Sequence, residues 1–276
     1  EHPDPRGIPA LQVRIGDLRV NGLELGRLGL YAQPTDNGMR VTQASLSTES
    51  SEFQGTGEWT FINASQHRSN FEVVARADDL AALLNRFDVE DAVSGGQTEI
   101  RLLATWPGAP SEFSLAEVEG NASVRIRDGR LLNVKRGLIG RVFSLLSIQN
   151  IFRLLLLDFG ELGKGFPYDA ADGKFRIENG RAVAETFRVS AATAQLTVSG
   201  YTDLAAGTYH HLVTVTPKLT SILPLAPIDL VERLLRRRLI NDAFSAQYAL
   251  DGPWENPSVT PVNVDKTPTT TSGELR

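Results

Sequence analysis

The chain of 276 residues contains no cysteine, so neither a disulfide framework nor a thiolate zinc site can be built from it. That absence permits an oxidising compartment without selecting one. Histidine is scarce as well, with only His2, His67, His210 and His211. The last two are adjacent, and adjacent strand residues point to opposite faces, so this pair cannot chelate one ion together. No Gly-x-Ser-x-Gly elbow, His-Glu-x-x-His helix, Walker loop or Gly-x-Gly-x-x-Gly fingerprint occurs. Asp158, Glu161, Asp169 and Asp172 cluster near the Gly163-Lys164-Gly165 break without a nucleophile or cation site, and read as loop solubilisers and turn formers. No catalytic residue, metal or cofactor is expected, and the chain is expected not to be an enzyme.

A strong excess of one charge is also missing. The formal net charge of −5 is spread along the chain and argues against a nucleic-acid binder. Long apolar runs are missing too. The longest charge-free apolar stretch of the helical region lies between Arg141 and Arg153, far short of the roughly 18–20 residues that span a bilayer. The first residue is Glu1, with no basic start and apolar core of a secretion signal behind it. The expectation is therefore a piece of a longer protein whose signal or membrane anchor lies upstream.

What the chain does have is alternation with a period of two. Leu11, Val13 and Ile15 alternate with polar residues, then Trp59 with Phe61, Phe71 with Val73, Ile100 with Leu102, and Val124 with Ile126. The same parity returns in Phe175 and Ile177, Phe187 and Val189, Leu196 and Val198, and Val213 and Val215. Each pair predicts a strand with one apolar face. Phe113 and Leu115 suggest a further strand. Asx-Gly dipeptides at 21, 37, 128, 172, 179 and 251 mark expected turns, since they supply the positive φ of tight hairpins. Together these features predict a mainly β fold, a long curved antiparallel sheet grown from hairpins into an open groove, with a few amphipathic or apolar helices packed at its end.

Three segments break the alternation. Leu80, Leu83, Leu84 and Phe87 sit at helical spacing behind Asp78-Asp79, which can cap a short helix. Between Leu138 and Leu157, Leu138, Val142, Leu145 and Phe152 form a stripe that Phe143 and Leu146 widen beyond what a surface helix needs. That segment is either a helix buried over the sheet end or a plug that enters lipid. The third, Ile228 to Ile240, clusters Arg233, Arg236, Arg237 and Arg238. Such a helix can lie on an anionic membrane or present an ordinary solvated face. The expected organisation is a groove segment over 1–120, a module over 121–262 carrying the apolar insert at 138–160 and the basic helix at 228–240, and a disordered tail over 263–276.

Several pieces stand in a suggestive order: Gly140-Arg141-Val142-Phe143-Ser144-Leu145-Leu146-Ser147, Leu157-Asp158-Phe159, Lys164-Gly165-Phe166, Gly200-Tyr201-Thr202-Asp203-Leu204, Tyr209, Val213-Thr214-Val215-Thr216-Pro217 and Gly252-Pro253-Trp254-Glu255-Asn256-Pro257. Their order and spacing resemble the C-terminal part of the AsmA-like family, and within it the large YhdP-type proteins of Gram-negative envelopes. One departure is clear: after Leu223-Pro224-Leu225 the family has a Gly/Ala-rich apolar helix, whereas here Pro227 leads into the basic segment. The resemblance implies the C-terminal part of a bridge-like periplasmic phospholipid carrier, anchored in the inner membrane by an upstream segment and reaching the outer membrane. Its implied partners are phospholipid acyl chains, the inner leaflet of the outer membrane or an envelope protein, and the upstream part of the parent chain. The alternative is an envelope scaffold that docks a partner by strand addition.

Overall fold

A computed structural model describes residues 4–20, 23–63, 66–85, 93–132, 166–192, 194–218, 245–254 and 256–262. Alternation becomes strand at every pair named above except Phe113 and Leu115. The strands are β1 (Leu11–Val20), β2 (Leu23–Thr35), β3 (Gly38–Ser47), β4 (Ser51–Asn63), β5 (Gln66–Ala77), β6 (Val93–Pro107) and β7 (Glu119–Leu131). They continue as β8 (Phe166–Glu178), β9 (Arg181–Ser190), β10 (Ala194–Asp203), β11 (Thr208–Pro217), β12 (Ala246–Pro253) and β13 (Ser258–Val262). All thirteen form one open sheet in strict chain order, each antiparallel to the next. At about 4.8 Å per neighbouring strand, the sheet extends about 58 Å across its strands.

Bulges keep the apolar parity on one side. In β1 the register slips between Ile15 and Leu18, so both still face the same way, and β3 does the same between Val41 and Ala44. The Asx-Gly signal divides between turns and strand interiors. Asn37-Gly38 joins β2 to β3, and Asn179-Gly180 turns β8 into β9 with φ of 50° and 69°. Asp128-Gly129, Asp172-Gly173 and Asp251-Gly252 instead lie inside β7, β8 and β12, where turns were expected. Asp128, at φ 54°, lies beside Gly95 and Gly96 of β6, at 66° and 100°, while the register of β7 with β6 and β8 runs through it without a shift. Gly173 leaves room for two rings, since a Cβ there would meet Phe175 at 2.7 Å and Phe187 at 2.9 Å. The turn at Asn21-Gly22 lies outside the described residues.

The strand expected at Phe113 and Leu115 is absent. Pro110 opens a 3-10 turn over Pro110–Glu112, closed by Glu112 Oε2 accepting from the Ala109 N–H at 2.6 Å. Phe113 and Leu115 follow in irregular backbone and are exposed. The helix expected at 78–87 is found as α1 (Leu80–Asn85), with Asp79 Oδ1 accepting from Ala81 N–H at 2.8 Å as its cap. Leu80, Leu83 and Leu84 are buried against the sheet, and Phe87 lies outside the described residues.

The opposite face of the sheet is polar and paired in register. Glu52, Arg76, Glu99, Arg125, Asp172 and Arg188 are successive cross-strand partners from β4 to β9, alternating in sign. Glu99 meets Arg101 at 3.1 Å, Arg76 at 3.2 Å and Arg125 at 3.2 Å. Hydrogen bonds from Arg101 and then Arg76 hold its carboxyl below the usual carboxylate range. Exposed pairs of this kind add little stability. Their effect is on register, because a slip would set like charges opposite one another.

Burial is deepest in β10 to β12. There Gly200 pairs with His211, and Gly200, at φ 106°, could not carry a Cβ without striking the His210 carbonyl oxygen. His211 Nδ1 lies 3.2 Å from the Ser199 carbonyl oxygen and its Nε2 2.8 Å from Thr202 Oγ1. A carbonyl only accepts, so Nδ1 carries the proton and the hydroxyl donates to Nε2. Burial lowers the His211 pKa below the ordinary histidine value. His210, on the other face, is exposed and pairs with Asp251 at 3.3 Å.

Gly200→Ala is expected to destabilise the chain by about 2–3 kcal/mol in urea unfolding, as a forced positive φ plus a backbone clash requires. An unchanged midpoint would show that the backbone at Gly200 relaxes freely. His211 sets a pH dependence. The unfolded histidine takes a proton near pH 6.5. The folded one resists it, so stability is fully present above that pH and declines as pH falls. Comparing urea midpoints at pH 8 and 5.5 checks this: the decline is expected to be smaller in His211→Asn, and equal declines in both proteins would contradict it.

Candidate functional site

Cross-strand partners share a face, so the register assigns every strand residue to one side. All eighteen residues predicted from alternation to line an apolar surface fall on the same side. The middle of that side consists of two rows. One runs Val13, Leu30, Ala44, Gly55, Val73, Leu102, Ala122, Phe175 and Ala184, each the partner of the next from β1 to β9. The other runs Ile15, Leu28, Leu46, Phe53, Ala75, Ile100, Val124, Gly173 and Phe187. Neither row carries a polar side chain. Most of these residues are only half-buried.

The flanks differ. Toward one set of strand ends, Met39, Trp59, Ser69 and Trp106 are buried, with Phe61, Phe71 and Ile177 beside them. A 3-10 turn, Pro5–Gly7, packs here, with Pro5 fully buried and the Arg6 guanidinium 3.6 Å over the Phe61 ring. Asp4 accepts from Arg6 and its carboxyl is lowered to about 2 as a result. Further along, Ser69 Oγ donates to Gly108 O and Trp106 Nε1 to Ala109 O, both at 2.9 Å. Toward the other ends, Ala77, Thr98, Ala171, Val189, Leu196 and Val215 are buried, with Ile126 half-buried among them. Helix α1 and the Tyr168 ring, which lies against Gly129, belong to this flank. Burial pushes the Tyr168 hydroxyl up to about 12.

The result is an open apolar lane between two covered margins. It spans nine strands, or about 38 Å, longer than the roughly 30 Å hydrocarbon core of a bilayer. Eight of the residues predicted for the apolar face lie in the lane itself: Val13, Ile15, Val73, Ile100, Leu102, Val124, Phe175 and Phe187. Val198 and Val213 continue its line into β10 and β11. The remaining eight lie on the flanks. Alternation alone missed Leu28, Leu30, Leu46 and Phe53, which parity counted through the bulges would have found. It also missed the small residues Ala44, Gly55 and Ala122, which carry little apolar signal.

Leu138, Val142, Phe143, Leu145, Leu146 and Phe152 lie outside the described residues, as do Arg233, Arg236, Arg237 and Arg238, and the tail over 263–276. Among the described residues, no helix is long and apolar enough to cross a membrane. Nor, among them, do three His, Asp or Glu side chains converge as a metal ion would need. The lane offers burial and shape; it offers no group that could move a proton or form a bond.

Comparison with known proteins agrees with this geometry. A family model described as YhdP protein matches residues 1–259. The intermembrane phospholipid transporter YhdP of Escherichia coli (strain K12) is 20% identical over 268 residues, which cover 93% of this chain and 21% of that protein. The chain thus spans about a fifth of that relative's length. No solved structure matches. With the family model running through nearly the whole of the described sheet, the chain belongs to the YhdP family.

Proposed function

We propose that this chain is the C-terminal part of a bridge-like phospholipid carrier of the Gram-negative periplasm, and that acyl chains lie in the lane across β1 to β9. The observation that carries this is the unbroken absence of polar side chains from two register rows through nine strands. An apolar surface left half-covered over that length invites an apolar occupant. Burial is worth roughly 25 cal/mol per Å² of apolar area removed from water. A tail moved from bilayer to lane exchanges one apolar surrounding for another, so the transfer is nearly balanced. That balance suits a conduit, where tight binding would hold the lipid in place.

The edges of the sheet fit a carrier that extends in one direction. β1 has ten residues, no proline and, among the described residues, a strand partner only on its β2 side, so its outer edge can take a further strand. β13 has five residues, Pro261 among them, which blunts that edge. The upstream part of the parent chain, anchored in the inner membrane, is the proposed continuation beyond β1. The β13 end then faces the outer membrane, whose inner leaflet or an envelope protein is the acceptor. The groove segment over 1–120 and the module over 121–262 act as one track in this proposal.

The second reading, a scaffold that binds a protein strand along the β1 edge, draws on the same open edge. Native mass spectrometry of the chain purified from bacterial envelopes separates the two. Bound phospholipid is expected on the wild type, and Leu102→Asp is expected to reduce occupancy by on the order of tenfold or more, since a carboxylate in the lane must lose its hydration to touch a tail. Circular dichroism should be unchanged, because Leu102 is only half-buried and the new charge reaches water. A lipid-free wild-type chain would favour the scaffold.

A further inference from the structure

The two rows that make the lane do not end at β9. Past Ala184 and Phe187 they run on through Gly200, His211 and Leu250, and through Val198, Val213 and Tyr248. Their character changes at that boundary in two independent ways. The first is exposure. Val213 is 0% exposed, Leu250 1%, Val198 3%, His211 5% and Tyr248 7%, whereas the leucines, valines and phenylalanines of the same rows in β1 to β9 are half-buried. The second is chemistry. His211 is the first polar side chain in either row, and both its ring nitrogens are engaged, with Ser199 and Thr202.

We propose that the lipid-binding lane stops between β9 and β10, and that β10 to β12 are a closed stop against which a tail travelling toward the last strand halts. This rests on the lipid-binding reading given above. A side chain with no exposed surface already has its full shell of apolar contacts, so an incoming tail would gain nothing there until those contacts were broken. It would also have to lie against His211, whose hydrogen-bonded ring presents polar atoms where the lane upstream presents only carbon and hydrogen. Lipid bound to this chain therefore occupies about 38 Å of sheet, rather than the full 58 Å or so. Exchange with an acceptor takes place through the open face of the lane, because neither the end of the sheet nor the covered margins are open to a tail.

Photolabelling tests this on the unmodified chain. The probe is a phosphatidylethanolamine whose acyl chain carries a diazirine, incorporated from vesicles, irradiated, and mapped by peptide mass spectrometry. Adducts are expected on the apolar-face residues of β4 to β9, and at least tenfold fewer are expected within 194–216 and 246–253. Comparable labelling of both regions would overturn the stop while leaving lipid binding intact. No labelling of the apolar face anywhere would overturn both. Labelling confined to β10 to β12 would overturn the stop and reverse the direction of filling.

Discussion

One constraint governs the rest of this molecule: thirteen strands in a single layer must all present their apolar parity to the same side. The side-chain period of a strand is two, so a slip of one residue in any pair would carry apolar residues to the wet face from that strand onward. The chain enforces register twice. Bulges at Gly16-Asp17 and Thr42-Gln43 restore the parity where the strands would otherwise lose it. On the wet face, the row from Glu52 to Arg188 alternates in sign, so that the native register sets opposite charges side by side.

The proposed function draws its physical argument from that constraint. A single-layer sheet with one apolar face is unfinished, since protein sheets ordinarily bury such a face against another layer. Here the margins are finished, by the Pro5–Gly7 turn and the Trp106 region on one side and by α1 on the other. The last strands are finished as well. What remains half-covered is a lane of branched aliphatic and aromatic side chains with no hydrogen-bonding group. On the proposed function, a lane of this kind would discriminate little among tails, because it makes no directional contact. On that reading, any choice of lipid class would come from contacts with the headgroup, outside the lane.

Much of this was legible in the sequence because it depends on parity, and parity is local. Val73 and Leu102 announce their face by what stands beside them, and the register then joins them. The mistaken turns have one cause. An Asx-Gly pair reports positive φ, which is found inside a strand at Asp128 as well as in a hairpin at Asn179. Phe113 and Leu115 resembled a strand because two apolar residues at spacing two fit many conformations, and Pro110 decided the outcome. The difference between Leu102 and Val213 could not be read at all. Both alternate in the same way, yet one is half-buried and the other sealed.

The central claim, that acyl chains occupy this one face, is tested most directly on β6, and the natural lack of cysteine makes the test clean. Single cysteines at Ile100, Arg101, Leu102 and Leu103 would be titrated with a small thiol reagent, with and without phosphatidylethanolamine vesicles. Leu103 is the decisive control, being a leucine 45% exposed on the opposite face. The account predicts that lipid slows modification at 100 and 102 and leaves 101 and 103 unchanged. Protection at Leu103 equal to that at Leu102, or protection at none of the four, would contradict it.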